Sequence, residues 1–215
     1  MATGSGAVFV DLDRTLLREA SGPVISQALV TEGVIGKGQH LPGERLLYSF
    51  YNRFGESAPF IGLARLAARA MQNRSADATR RAGKQAVGPL LDLVQPWALE
   101  ALEAHRGAGL RLVLATTSPF DLVAPLAEAL GFDATIATHY EETEGRYTGR
   151  LQGGFVWGTG KRQAVRQWAD AHGTDLSASH AYSDSVYDLP LLTAVGHPHP
   201  LNADPRLALV AVARR

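Results

Sequence analysis

The chain of 215 residues contains no cysteine, which excludes disulfides, thiolate metal sites and a thiol nucleophile. It has no excess of charge of either sign, since 21 Lys and Arg are matched by 21 Asp and Glu. No global field therefore draws it to nucleic acid or to an anionic membrane, and any charge logic has to be local. It also lacks an apolar run approaching the roughly 18 residues that suggest a bilayer span. The opening string, MATGSGAVFVDLD, has neither the basic region nor the long hydrophobic stretch of a secretory signal. These absences lead to the expectation of a cytoplasmic protein with no membrane span and no nucleic-acid partner, and leave its oligomeric state open.

The length suffices for one sizeable α/β domain with an inserted module. Three short apolar runs end abruptly in small or acidic polar residues: Ala7 to Val10 before Asp11, Leu110 to Ala115 before Thr116, and His180 to Tyr182 before Ser183 and Asp184. They read as strands of a parallel sheet buried on both faces. Between them lie segments of helical periodicity: Trp97 to His105, Leu122 to Leu130 closed by Gly131, and Arg162 to His172 closed by Gly173. Such alternation predicts a doubly wound sheet, in which ligands bind beyond the carboxyl ends of the strands.

About a hundred residues separate the first strand from the second, where roughly thirty would close a βαβ unit. The excess, residues 21–91, reads as a helical cap inserted into a core formed by residues 1–20 and 92–215. Apolar residues there are spaced for amphipathic helices, as in Leu46, Leu47, Phe50, Tyr51 and Phe54, then Leu63, Leu66, Ala67 and Ala70. Its basic residues Arg65, Arg69, Arg74, Arg80, Arg81 and Lys84 would attract an anionic substrate, or simply form the solvated face of a helix. A second irregular stretch, Tyr140 to Gly160, alternates apolar residues with glycines and reads as a small hairpin or flap.

The chemistry begins with Asp11 and Asp13 in the string DLDRT. In an extended chain residues i and i+2 point to one side, and two carboxylates aimed at one spot repel unless a cation or a proton intervenes. A hard divalent ion resolves that conflict, and open oxygen ligation suits Mg²⁺ better than zinc. One carboxylate is then available to attack while the other manages the proton of the leaving group and of water.

The later residues complete a familiar order: acid pair, hydroxyl, lysine, acid pair. In DLDRT, LATTSP, GTGKRQA and YSDSVYDLPLL the chain resembles phosphatases of the haloacid dehalogenase superfamily, above all the subgroup that contains the phosphoserine phosphatases. GRYTG at Gly145 to Gly149 resembles the same subgroup. The resemblance implies a Rossmann-like core with an inserted helical cap, and hydrolysis of a small phosphate monoester through an aspartyl-phosphate. It places Asp11 as nucleophile and Asp13 as general acid and base, with Thr15 in support. Thr116 would bind a phosphoryl oxygen and Lys161 would be the basic residue of the third motif. Mg²⁺ would be held by Asp11, by Asp13 through its main-chain carbonyl and by Asp184, with Asp188 as companion. Arg14, Glu19 and Ser118 are candidate substrate contacts.

These assignments have physical reasons beside the resemblance. Phosphoryl transfer needs charge neutralisation and alignment, which a metal, a lysine and a hydroxyl provide. Lys161 begins a helix whose amides favour an anion, and Asp184 and Asp188, spaced i, i+4, share a face if their segment is helical. Taken singly, each has a plainer reading: Thr116 ends a strand, Lys161 is an exposed lysine by a glycine turn, and Asp184 caps a helix. The joint order is what favours chemistry. Ser118 and Asp121 are read as helix caps with Pro119 at an early helical position. His197 and His199 in GHPHP are read as loop histidines, because glycine and two prolines mark a turn. Glu19 and Arg53 reach substrate if the cap closes, and Asn202 falls near the site or in a structural turn.

In phosphoserine phosphatases an acid nine residues after the nucleophile holds the substrate amine, whereas Ala20 stands at that place here with Glu19 one position earlier. A lysophospholipid or glycerol phosphate monoester is therefore a competing substrate. A phosphomutase is the other enzymatic alternative, and a noncatalytic module that binds a phosphorylated ligand or partner is the rival from another class.

Overall fold

The computed structural model describes residues 5–36, 66 and 68–213. Its centre is a five-stranded parallel sheet in the order β3-β2-β1-β6-β7. The strands are β1 (Ala7–Val10), β2 (Arg111–Pro119), β3 (Ala134–Thr138), β6 (His180–Ser183) and β7 (His197–Pro200). β1 is wholly buried because both its neighbours are strands and both its faces are covered. Its residues alternate between two cores, as the period of a strand requires. Val8 and Val10 join Leu112 and Leu114 on one face, while Ala7 and Phe9 join Val113, Ala115 and Ala181 on the other.

The first face is covered by α3 (Pro96–Gly107), through Ala98 and Leu102, and by α4 (Phe120–Ala129), through Leu122, Val123, Leu126 and Ala127. The second is covered by α5 (Thr159–His172), through Val165, by the short α6 (Leu189–Leu192), and by Leu207 of α7 (Pro205–Ala213). α5 ends where Gly173 turns left-handed at φ 62°, a conformation that glycine adopts without a Cβ penalty.

Between β1 and β2 the chain also forms α1 (Gly22–Thr31) and α2 (Ala76–Leu91). α2 starts at Ser75, whose side chain accepts the Ala78 N–H, an N-cap that a Ser before an Ala-rich helix signals. It packs against α1 and α4. Gly83 makes the close approach to α4: a Cβ there would lie 2.3 Å from the Asp121 carbonyl oxygen. The stripes expected over residues 46–63, together with Arg53, Arg65 and Ala67, lie outside the described residues.

The expected hairpin is present as β4 (Tyr140–Thr143) and β5 (Arg146–Leu151), an antiparallel pair. It braces the foot of α2, where Tyr147 N donates to Arg74 O at 3.0 Å and Asn73 N to Tyr147 O at 2.8 Å. GHPHP, expected as a turn, is instead the edge strand β7. His197 N donates to Ser179 O and Leu201 N to Ser183 O, so alternate residues face β6. The imide nitrogens of Pro198 and Pro200 then fall on the open edge, where a missing N–H costs nothing and blocks pairing with another chain. No helix among the described residues is long and apolar enough to cross a membrane.

Candidate active site

β1 and β6 are adjacent parallel strands with Val10 opposite Tyr182, so Asp11 and the Ser183–Asp184 pair leave the sheet side by side at its carboxyl edge. Asp11 continues the ladder by donating its N–H to Tyr182 O at 3.0 Å. The chain then makes one wide turn, Leu12–Leu16, closed by Leu16 N on Asp11 O and Leu17 N on Leu12 O. Within it Asp13 is extended and Arg14 is left-handed, at φ 61° and ψ −1°. The exit of the turn is zipped to the return segment: Gln95 N donates to Leu16 O, Arg18 N to Leu93 O and Gln95 Nε2 to Thr15 O.

Lys161 lies in the first turn of α5, only 1% exposed. Its ammonium donates to Asp11 Oδ1 at 2.8 Å and to Asp188 Oδ2 at 2.6 Å. Asp188 Oδ2 also accepts the Ser183 hydroxyl at 2.8 Å, while Asp188 Oδ1 is buried with no hydrogen-bond partner among the described residues. Asp184 is turned elsewhere, its Oδ2 lying 3.0 Å from Arg14 Nε. Asp184 and Asp188 therefore do not share a helical face. Ser185 accepts the Tyr187 N–H and starts a tight three-residue turn, Val186–Asp188, with α6 beginning only at Leu189. That turn sends the two acids to different cations.

Asp13 does not aim at the same partner as Asp11. Its Oδ1 accepts the Ser21 N–H and its Oδ2 faces the Ser118 hydroxyl at 3.4 Å. Burial pushes its pKa up from the ordinary carboxylate value, against the opposing pull of the bonds from Ser21 and Ser118 and of the Lys161 charge. A raised pKa suits a group that has to give up a proton near neutral pH. Thr116 is buried, and its Oγ1 accepts the Ser118 N–H at 3.1 Å, which leaves the hydroxyl proton free to point elsewhere. Thr15 is buried with no hydrogen-bond partner for its Oγ1 among the described residues.

The helix-cap reading of Ser118 and Asp121 fails: neither caps α4, which has no side-chain cap. Ser118 serves Asp13, and Asp121 accepts the Tyr147 hydroxyl and faces Arg80. Glu19 is exposed, and among the described residues its tie to the site is its carbonyl, which accepts the Arg14 N–H at 3.5 Å. Arg80 and Arg81 of α2 are engaged by Asp77, Glu142 and Glu32, so for these two the solvated-face reading is the better one. Asn202 does reach the site, through Arg14.

Two residues were not anticipated. Ser183 orients Asp188, and Asp204 braces the whole loop: its N–H donates to Asp184 O at 2.7 Å while its carboxylate accepts Val186 N and Leu207 N. The string DP at Asp204 and Pro205 carried the signal, as an N-cap acid followed by proline at the first helical position.

Four carboxylates, of Asp11, Asp13, Asp184 and Asp188, face two cations, Lys161 and Arg14. Even with Asp13 protonated, negative charge is in excess, and every donor is a hard oxygen, which fits a divalent ion of the magnesium type. Among the described residues no three acidic or histidine side chains gather as a metal cage. A set of Asp11, Asp184 and the Asp13 carbonyl needs only two side chains.

Comparison with known proteins shows which family the chain resembles. The family model described as haloacid dehalogenase-like hydrolase matches residues 8–193. A Mycobacterium tuberculosis protein named "Probable phosphatase" is 30% identical over 97% of this chain and 72% of its own length. A solved structure of a Bordetella pertussis Tohama I protein of unknown function is 29% identical, with a TM-score of 0.79 over 99% of this chain and 96% of that one. A substrate-bound phosphoserine phosphatase shares the fold, at a TM-score of 0.64 and 17% identity over 95% of this chain and 89% of that one.

Proposed function

The chain belongs to the haloacid dehalogenase-like hydrolase family, and on that premise we propose that it is a phosphoric monoester hydrolase acting on a small phosphate ester, with Asp11 as nucleophile. The observation that carries the reading is the placement of Lys161 between Asp11 and Asp188, fully buried at the carboxyl edge of the sheet. A lysine with two carboxylates keeps Asp11 ionised and aimed, as a nucleophilic carboxylate must be.

In this reading Asp11 attacks phosphorus, forming an acyl phosphate as the bond from phosphorus to the leaving oxygen breaks. Asp13, whose proton affinity burial has raised, protonates that oxygen. The resulting Asp13 carboxylate then takes a proton from water, which attacks the phosphoryl group, releases inorganic phosphate and returns Asp11. Thr116 and Lys161 hold phosphoryl oxygens during both steps. Mg²⁺, held by Asp11, Asp184 and the Asp13 carbonyl, would supply further neutralisation of the phosphoryl charge. Residues 21–91 act as a cap that admits substrate and then excludes water.

The substrate is a small monoester, and the residue at position 20 argues against phosphoserine. Ala20 is buried and offers no carboxylate at the place where the phosphoserine enzymes hold an amine. The test is hydrolysis of an aryl phosphate with chelator and with added Mg²⁺. Activity restored by the ion is expected, together with a loss of roughly 10³-fold or more in Asp11→Asn at unchanged far-ultraviolet circular dichroism. Wild-type turnover in that variant would remove Asp11 as nucleophile, and no hydrolysis under any condition would leave a phosphate-binding module.

A further inference from the structure

Arg14 is held in place by an unusual clasp. Its φ of 61° puts a long side chain in the left-handed region, and Asn202, at φ 48°, is left-handed too. Each secures the other: Asn202 Nδ2 donates to Arg14 O at 3.0 Å, and Arg14 Nη2 donates to Asn202 O at 3.3 Å. The clasp joins the turn after β1 to the segment after β7. Its effect is to set Arg14 Nε 3.0 Å from Asp184 Oδ2, with the two side chains only 11% and 2% exposed. Asp184 is fixed from behind by the Asp204 N–H on its carbonyl. Backbone in a disfavoured conformation persists where the surroundings over-determine it, and such places tend to serve function.

Resting on the metal reading above, we propose that Arg14 is a tethered counter-charge which neutralises Asp184 in the ion-free protein and competes with the divalent ion for that carboxylate. The argument is one of charge. A guanidinium never loses its proton, so its repulsion of an incoming cation is permanent, and at low local dielectric it is strong. A residue that merely oriented Asp184 would have the opposite sign of effect, since its removal would weaken ion binding.

The experiment is a titration of the whole protein with Mn²⁺ as probe, with free ion followed by electron paramagnetic resonance. Arg14→Gln, which keeps length and polarity without charge, is expected to bind Mn²⁺ about tenfold more tightly than wild type. Arg14→Lys restores the wild-type affinity. In chelator the Gln variant melts below wild type, and saturating Mg²⁺ raises its melting temperature by more than that of wild type. If Arg14→Gln does not fold, Asn202→Gly removes one strut of the clasp while tolerating the positive φ, and is expected to tighten Mn²⁺ binding several-fold. Equal or weaker Mn²⁺ binding in the folded variant overturns the proposal while leaving the phosphatase reading intact. Asp184→Asn locates the ion: undiminished Mn²⁺ binding in that variant overturns the competition, and no binding in wild type or Arg14→Gln overturns it together with the metal reading.

Discussion

On either side of Ser183 the fold treats ionisable side chains in opposite ways. At the carboxyl rim Lys161 is buried between Asp11 and Asp188, and Arg14, largely covered, lies on the buried Asp184. A few residues back, on the face of β6 and β7, lies a ladder of rings. His180 stacks on His197 and His199 at centroid distances of 4.6 and 5.2 Å, His199 on Tyr182 at 4.3 Å, and His105 tilts against His180 at 4.5 Å. The groups acting on His180 are burial first, then His105, His199 and His197, and together they push its pKa down to about 4. Burial beside an opposite charge retains ionisation, whereas burial beside like groups expels the proton. One region stores charge for chemistry at full burial, and the other, at a partly exposed edge of the sheet, holds His180 among rings that disfavour its charge.

The sharpest way to break this contrast is to delete the central cation. Lys161→Met keeps the length of the chain but removes the cation that the buried carboxylates of Asp11 and Asp188 share. Removing one partner of a buried pair costs about 3–5 kcal/mol, so urea unfolding in chelator should show a loss of that order, with Mg²⁺ recovering part of it by binding the folded state. A loss under about 1 kcal/mol would mean that the rim is solvated and that its resemblance to a surface pair is closer than its geometry suggests.

The sequence made the rim legible because each of its residues follows a recognisable element: Asp11 and Asp184 end apolar strands, and Lys161 opens a helix closed by Gly173. What it did not reveal was the pairing. Asp184 and Asp188 look like neighbours at i, i+4, yet the tight turn Val186–Asp188 gives one to Arg14 and the other to Lys161. That choice depends on contacts between segments far apart in the chain, Arg14 with Asp184 and, across 27 residues, Lys161 with Asp188, which no local spacing encodes. The histidine ladder was hidden for a different reason. Proline usually marks a turn, and GHPHP becomes a strand only because it lies at an edge, where alternate N–H groups are not needed.

The ladder offers a pH test of intermediate size. Unfolded histidine titrates near 6.5, so with His180 depressed to about 4 the unfolded chain binds the extra proton first as pH falls. Stability from this group is therefore intact above about 6.5, declines between 6.5 and 4, and levels off below. The hydrogen bond from one ring of the His180 and His199 pair to the other, at 2.9 Å, makes the same point, since protonating both facing nitrogens breaks it. His180 is partly exposed, so screening reduces the effect to about 1–2 kcal/mol across the window. His180→Phe, which keeps a ring and removes the titration, should flatten the dependence of melting temperature on pH. An unchanged slope would place the acid sensitivity in the rim carboxylates instead.

The smallest effect is expected where charge is plentiful and water is near. Arg80 of α2 reaches Asp77, Asp121 of α4 and Glu142 of β4, which on paper is a richer network than that of Lys161. Its side chain is 41% exposed, however, against 1% for Lys161. Exposed pairs gain little over hydration and lose side-chain entropy, so Arg80→Ala should cost at most about 1 kcal/mol, and less in high salt. The packing of α2 on α4 at Gly83 holds the two helices together without it. A loss above about 2 kcal/mol, insensitive to salt, would show that the foot of the inserted region is pinned by this arginine, and the division between buried and solvated charge would have to be redrawn to include it.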